Sequence, residues 1–259
     1  IRLSLVGSEM CIRDRSGSDG SGFLYLESLG HHIIDLVPGL IGLKGKQSFF
    51  ADIAGIRADA KVDLYIESTH VCSEQGELQL TNYGISGIPV FQLSRVAARA
   101  LSEQKKVYAT LNFVPLWEKE QCLTYFKERF KKADEKRIGE ALIGFFPEKL
   151  IPVLLEESHI KAAKYANRLQ TEELERFIDT VQGLRVDITD WNTFDTAQVT
   201  AGGVDTDEID AETMESKLCP GLYFAGEMVD IDGICGGYNL QWAWSSGAVA
   251  GIHVARELS

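Results

Sequence analysis

Nothing in this sequence pairs its cysteines. The five, Cys11, Cys72, Cys122, Cys219 and Cys235, are odd in number, widely scattered and form no C-x-x-C motif or Cys/His cluster. That speaks against a disulfide framework or a metal site and fits reduced thiols in a cytoplasm. Long apolar runs are also missing. Asp35 and Pro38 break one hydrophobic stretch, and Pro147, Glu148 and Lys149 break another, so none approaches the roughly 18 residues of a membrane helix. An excess of positive charge is lacking, the formal net charge being −12. Phosphate recognition needs a basic field, and the densest basic stretch, Lys127 to Arg137, is interleaved with Glu128, Asp134 and Glu135 in the manner of a solvated helix face. A nucleic-acid partner is therefore not expected. No serine sits in G-x-S-x-G, which removes the usual hydrolase reading.

What is present is the balance of a folded protein: 45% apolar and 25% charged residues over 259 positions, room for two or three units. The opening IRLSLVGSEMCIRDR lacks the layout of a secretory signal. It is similar, almost letter for letter, to a translated cDNA adapter. Residues 1–15 are accordingly left out of the expected fold as an artefact, and the natural N-terminus is expected to be missing. The competing reading is a first strand over Leu3 to Val6.

From Ser16 a Gly/Ser-rich turn leads into a short helix that ends at Leu29 and is closed by Gly30. Ile33 to Leu43 reads as an extended crossover. Val62, Leu64 and Ile66 alternate with polar residues, as do Leu78 and Leu80 after a turn expected around Gly76, and Val107 to Phe113 repeat the pattern, which predicts a small antiparallel sheet or barrel. Within it, Ser86 is expected to cap a helix with Pro89 in its first turn and Val90, Leu93, Val96, Ala97 and Leu101 on its inner face. Glu118 to Gly183 reads as helical, with Leu123, Phe126 and Phe130 at helical spacing and Pro147 and Pro152 as breakers. His31 and His32 follow the helix-stop glycine and are expected to interact with the helix end.

The chemistry is expected near the C-terminus. GLYFAGEMVD (221–230) reads as an apolar strand ending in Gly226 and Glu227. Such an end lets a ligand approach the backbone, and the acid can accept a hydrogen bond from a sugar or ribityl hydroxyl. Gly236 and Gly237 then turn the chain into a helix whose first N–H groups, near Tyr238 to Gln241, suit an electron-rich carbonyl. Ala243, Gly247, Ala250 and Gly251 form a small-residue stripe for close packing. QVTAGGV (198–204) supplies a second glycine pair, Gly202 and Gly203, read as another strand opening. A buried strand and helix with no ligand is the bland alternative. Cys235 beside the helix start reads as a filler thiol. Tyr83 and Tyr238 are candidate proton donors, and no metal ligands are assigned.

VTAGGV, EIDAETMESKLCPGLYFAGE and GGYNLQWAWSSG, in that order, closely resemble the signature segments of the YhiN/BaiN-like family of FAD-dependent oxidoreductases. SGSDGSGFLYLESLGH and TNYGISGIPVFQLSR are similar to two further family segments, so the resemblance spans residues 16–255. It implies a multi-domain α/β (α+β) architecture: the C-terminal part of a discontinuous Rossmann-like FAD-binding domain (16–38 and 192–259), a β-barrel insert (39–117 and 184–191) and a helical subdomain (118–183). It also implies FAD bound by Ala225, Gly226 and Glu227 and by Gly236, Gly237, Tyr238, Asn239, Leu240 and Gln241, with Gly202 and Gly203 close to the ring. NAD(P)H is the candidate electron donor, and the substrate a small molecule that undergoes C=C reduction or amine oxidation. Three departures stand out. The family's G-x-G-x-x-G opening is absent, Asn82 replaces the usual His before Tyr-Gly, and Ile88-Pro89 replaces Pro-Ala. The alternative is a non-catalytic piece that serves only in binding.

Overall fold

The computed structural model describes residues 20–133 and 135–257 and the backbone of Ser4–Val6. Cys11 and most of the Gly/Ser-rich turn lie outside the described residues. In chain order the first elements are β1 (Ser4–Val6), α1 (Ser21–Ser28), β2 (Ile33–Gly39), β3 (Leu43–Gly45), α2 (Phe50–Ile53), β4 (Arg57–Ile66), β5 (Thr69–Leu80), β6 (Gly84–Gly87), α3 (Ile88–Ser102) and β7 (Val107–Asn112). There follow α4 (Lys119–Lys132), α5 (Ile138–Leu142), α6 (Leu150–Glu157), α7 (Thr171–Gly183), β8 (Leu184–Trp191), β9 (Val199–Val204), β10 (Leu222–Phe224) and α8 (Tyr238–Glu257). They pack as two compact units. The first takes the described residues up to Ile41, then Ser94–Ser102, then those from Trp191 onward; the second takes Gly42–Leu93 and Glu103–Asp190. The C-terminal half of α3 thus counts with the first unit, and α4 to α7 share a unit with the barrel.

In the second unit six strands close an antiparallel barrel in the order β3-β6-β5-β4-β7-β8. Period-two alternation turns Ala60, Val62 and Leu64 of β4, Val107, Ala109 and Leu111 of β7, and Leu184, Val186 and Ile188 of β8 inward, where all are buried. The expected turn at Gly76 is corrected. β5 runs unbroken from Thr69, with Gly76 opposite Ala60, and the hairpin turns at Glu67 and Ser68. Their φ angles of 47° and 70° give the left-handed pair that a two-residue hairpin needs, without glycine to announce it. Ser86 does not cap α3 but lies within β6, opposite Gln79. Pro89 does fall in the first turn of α3, and Pro152 likewise falls early in α6 rather than breaking it, because a helix start needs no N–H there. On α4 the buried stripe is Cys122, Phe126 and Phe130, with Leu123 only half-buried. Burial raises the Cys122 thiol pKa above its ordinary value.

In the first unit β2 pairs antiparallel with β9, and β1 pairs in parallel with β10. A strand therefore forms at Ser4–Val6 within the stretch left out as an artefact. Leu26 of α1, Val204, Leu222, Tyr223, Phe224 and Ala250 of α8 share one buried cluster. Burial and the nearby Glu257 and Glu215 carboxyls push the Tyr223 hydroxyl up to about 12, so it stays protonated at neutral pH. The helix-end role expected of the His31 side chain is corrected. The buried ring lies between Glu208, whose Oε2 is 2.7 Å from Nδ1, and Ser216, whose Oγ is 2.9 Å from Nε2; its backbone N–H goes back to the Leu26 carbonyl. His32 also turns away, its Nδ1 3.4 Å from Asp205. The packing stripe of α8 is Ala243, Ser246 and Ala250, whereas a Cβ added at Gly247 or Gly251 would meet nothing within 4 Å.

Candidate functional site

The end of β10 is stapled to α8. Ala225 continues the extended strand, and Gly226, at φ 65°, opens a tight 3-10 turn through Met228. The Gly226 N–H donates to Ser246 Oγ at 2.9 Å, and its carbonyl accepts from Trp242 Nε1 at 3.0 Å. Both backbone polar groups of this buried glycine are thereby satisfied from one helix face, and the next residue, Glu227, is left at the edge of a cavity.

Gly202 and Gly203 are not an opening. β9 runs through both to Val204, and both are buried at positive φ, 100° and 137°. A Cβ on Gly202 would collide with the carbonyls of Asp35 and Ile34. One on Gly203 would come within 2.8 Å of the Met228 carbonyl oxygen and 3.0 Å of the Asp230 nitrogen. The space beside this pair holds backbone, from β2 on one side and from the segment after Glu227 on the other, which explains why only glycine fits.

After Val229 the chain runs irregularly to α8. The Asp230 N–H donates to the Val204 carbonyl, and its Oδ1 accepts from the Gly202 N–H at 3.1 Å and from Arg99 at 3.2 Å. Arg95, one turn earlier on α3, donates to Asp232 Oδ2 at 2.8 Å. Gly236 and Gly237, at φ 126° and 90°, then reverse the chain into α8. The Gln241 N–H makes the first helical bond, to the Gly237 carbonyl at 3.0 Å. The N–H groups of Tyr238, Asn239 and Leu240 precede that bond and have no acceptor within the helix. At 20 residues α8 is long enough for its N-terminus to carry an appreciable positive dipole end.

These pieces meet in a cavity of about 270 Å³. Among the expected cofactor residues, Glu227, Gly236, Gly237, Asn239 and Leu240 line it. Gly202, Gly203, Ala225, Gly226, Tyr238 and Gln241 are not part of the lining; Tyr238 is largely exposed with its ring beside Gly236, and the Gln241 amide turns to Ser245. Tyr83 belongs to the second unit, where its hydroxyl lies over Gly42. Sequence reasoning missed Leu40, Gln198, Val199 and Ala243 as lining residues, and it gave no part to Ile234. Cys235, which reads in the sequence as a filler thiol, also lines the cavity. Leu40 carries a positive φ of 49°, unusual for a branched side chain and without any sequence signal. The cavity is mainly apolar, and Glu227 supplies the one carboxylate among its lining residues. Among the described residues no group of three or more His, Cys, Asp or Glu is placed to hold a metal ion. No helix there is long and apolar enough to cross a membrane.

Residues 10–253 match the HI0933-like protein Rossmann domain family. A 3-dehydro-bile acid delta(4,6)-reductase of Clostridium scindens is 46% identical over 235 residues, which cover 91% of this chain and 58% of the relative. The ribosomal RNA dihydrouridine synthases of Escherichia coli and Haemophilus influenzae are each 28% identical, over 89% and 93% of this chain and 55% and 57% of theirs. The chain thus spans somewhat more than half the length of the curated relatives it matches. With a family match across most of its residues and a relative of this identity, the chain belongs to the HI0933-like family, flavoproteins of the YhiN/BaiN type.

Proposed function

We propose that this chain holds the ring end of FAD in the α8 cavity, and that the protein is a flavin-dependent reductase acting on a C=C bond conjugated to a carbonyl. One observation carries the reading: Glu227, the Gly236–Gly237 turn and the start of α8 meet around a single, mainly apolar cavity. The residues suit the group. A Cβ added at Gly237 would meet nothing within 4 Å, so a flat ligand has room to lie against the backbone. The free N–H groups of the first α8 turn suit an electron-rich carbonyl, and the Glu227 carboxylate suits a ribityl hydroxyl.

When bound, FAD supplies a hydride carrier whose pyrimidine edge gathers negative charge on reduction. The chain contributes binding and electrostatics. The N-terminal end of α8 stabilises that charge, Glu227 fixes the tether of the ring, and Leu40, Val199, Ile234, Leu240 and Ala243 keep water out.

The substrate class follows from chemistry shared by the relatives. A 3-dehydro-delta(4,6) steroid and uridine both carry a C=C bond conjugated to a carbonyl, which supports C=C reduction over amine oxidation. The net charge of −12 favours a small molecule over an RNA, and NAD(P)H is the proposed donor. The test is anaerobic. The purified protein is reduced with NADH or NADPH and mixed with a steroid enone, a uridine-containing RNA or a primary amine, while flavin absorbance is followed. Reoxidation by the enone alone is expected. A preparation that neither carries nor binds FAD overturns the reading and leaves the chain as a non-catalytic binding piece; reoxidation by RNA or amine instead reassigns the substrate.

A further inference from the structure

The segment from Asp230 to Gly237 is secured in stages. Asp230 and Asp232 are engaged by Arg99 and Arg95. At Gly233 a single side chain takes over: the Gly233 N–H donates to Asn239 Oδ1 at 2.8 Å, and Asn239 Nδ2 donates to the Gly233 carbonyl at 3.0 Å. One carboxamide thus satisfies both polar groups of one peptide position, as a neighbouring strand would. The fit is close, since a Cβ on Gly233 would come within 2.9 Å of the Tyr238 Cβ. Directly after this clamp come Ile234, Cys235, Gly236 and Gly237, all four of which line the cavity. Two of them are glycines at positive φ, so this stretch loses more freedom on ordering than any other part of the wall.

We propose that Asn239 is a positioning residue, whose carboxamide fixes Gly233–Gly237 as a wall of the cavity and thereby sets how tightly the cavity grips a flavin ring. The first half stands on the loop geometry; the second rests on the function proposed above. The donor half of the clamp is what distinguishes asparagine from aspartate. Asn239→Asp keeps an acceptor for the Gly233 N–H and loses the donor to its carbonyl, whereas Asn239→Ala loses both. Gly233→Ala disturbs the same contact from the opposite side, its Cβ pressing on the Tyr238 Cβ at 2.9 Å, and leaves the carboxamide group itself in place.

The experiment measures amide hydrogen exchange across residues 229–242 and the Kd and absorbance band shape of added FAD, for the chain and the three variants, with thermal melting as a check on folding. In Asn239→Ala, exchange over Gly233–Gly237 rises by at least tenfold while β9 stays protected, and FAD binds roughly tenfold to a hundredfold more weakly with a less structured band. Gly233→Ala behaves in the same way, and Asn239→Asp falls between it and the parent. Should Asn239→Ala fail to fold, Asn239→Asp, which retains the acceptor in a helix first turn that tolerates acids, decides by the same two readouts. Unchanged loop exchange in the folded variants overturns the clamp. A loosened loop with unchanged FAD affinity and band shape overturns the positioning role. Failure of the parent chain to bind FAD overturns the functional reading instead, and the exchange data still decide the clamp.

Discussion

The N–H of Gly202 donates to Asp230 Oδ1 at 3.1 Å, and Arg99 reaches the same oxygen at 3.2 Å. One carboxylate therefore joins β9, the segment before α8 and the C-terminal half of α3. Asp230→Ala strands a part-buried N–H and removes the partner of Arg99, and a loss of about 1–3 kcal/mol is expected. Arg99→Ala, which breaks only the exposed half of the arrangement, is expected to cost less than about 1 kcal/mol. Urea unfolding midpoints at unchanged slope give both numbers, and equal costs for the two variants contradict this division.

Glycine substitutions separate the two kinds of glycine in this unit. Gly203→Ala puts a Cβ into the Met228–Asp230 backbone at a φ of 137° and is expected to destabilise by at least about 2 kcal/mol or to prevent folding. Gly247→Ala meets nothing within 4 Å inside a helix and is expected to stabilise by roughly 0.5–1 kcal/mol. Thermal melting of the pair checks the contrast, and opposite signs are the required outcome.

Glu173 accepts from Lys164 Nζ at 2.7 Å and from the Gln170 N–H at 2.8 Å, and these contacts, the lysine first, hold its carboxyl below the ordinary 4.5. A carboxylate depressed in the folded state contributes its full stability above the unfolded value and loses it as the pH falls through the lower folded value. The melting difference between the parent and Glu173→Gln is thus expected to be largest near neutral pH, worth less than about 1 kcal/mol for this partly exposed pair, and to close below about 4.5. A difference that grows on acidification contradicts the sign.

Glu227→Ala is expected to weaken FAD binding by roughly tenfold to a hundredfold, the worth of a hydrogen bond to a charged group. Fluorescence titration with FAD measures the change, and calorimetry confirms that the variant is folded. Equal affinity for the two proteins removes Glu227 from the site.

Much of the fold was legible because it rests on side-chain period. The barrel strands show it in Val62 and Leu64 or Val107, Ala109 and Leu111, where alternation alone marks the inner face. Turns without glycine were not legible: Glu67 and Ser68 adopt left-handed backbone, a conformation that a glycine such as Gly76 enters more easily. The start of α8 was readable from Gly236 and Gly237, whose turn and lining role need glycine. Gly202 and Gly203 misled because a glycine forced by neighbouring backbone and one that admits a ligand look alike in sequence. Leu40, Gln198 and Val199 reach the cavity from far along the chain, and no local pattern encodes that.

In chain order the barrel strands are encoded between β2 and β9 of the first unit, and this order bears on biosynthesis. His31 meets Glu208 across 177 residues, and β2 finds its partner only when β9 has been made. Translation adds about 5–20 residues per second, so β2 emerges with an unsatisfied edge and waits on the order of ten seconds while the intervening barrel completes itself. A nascent chain stalled just after Asp190 would lack β9 and leave open the edge of β2 that β9 covers.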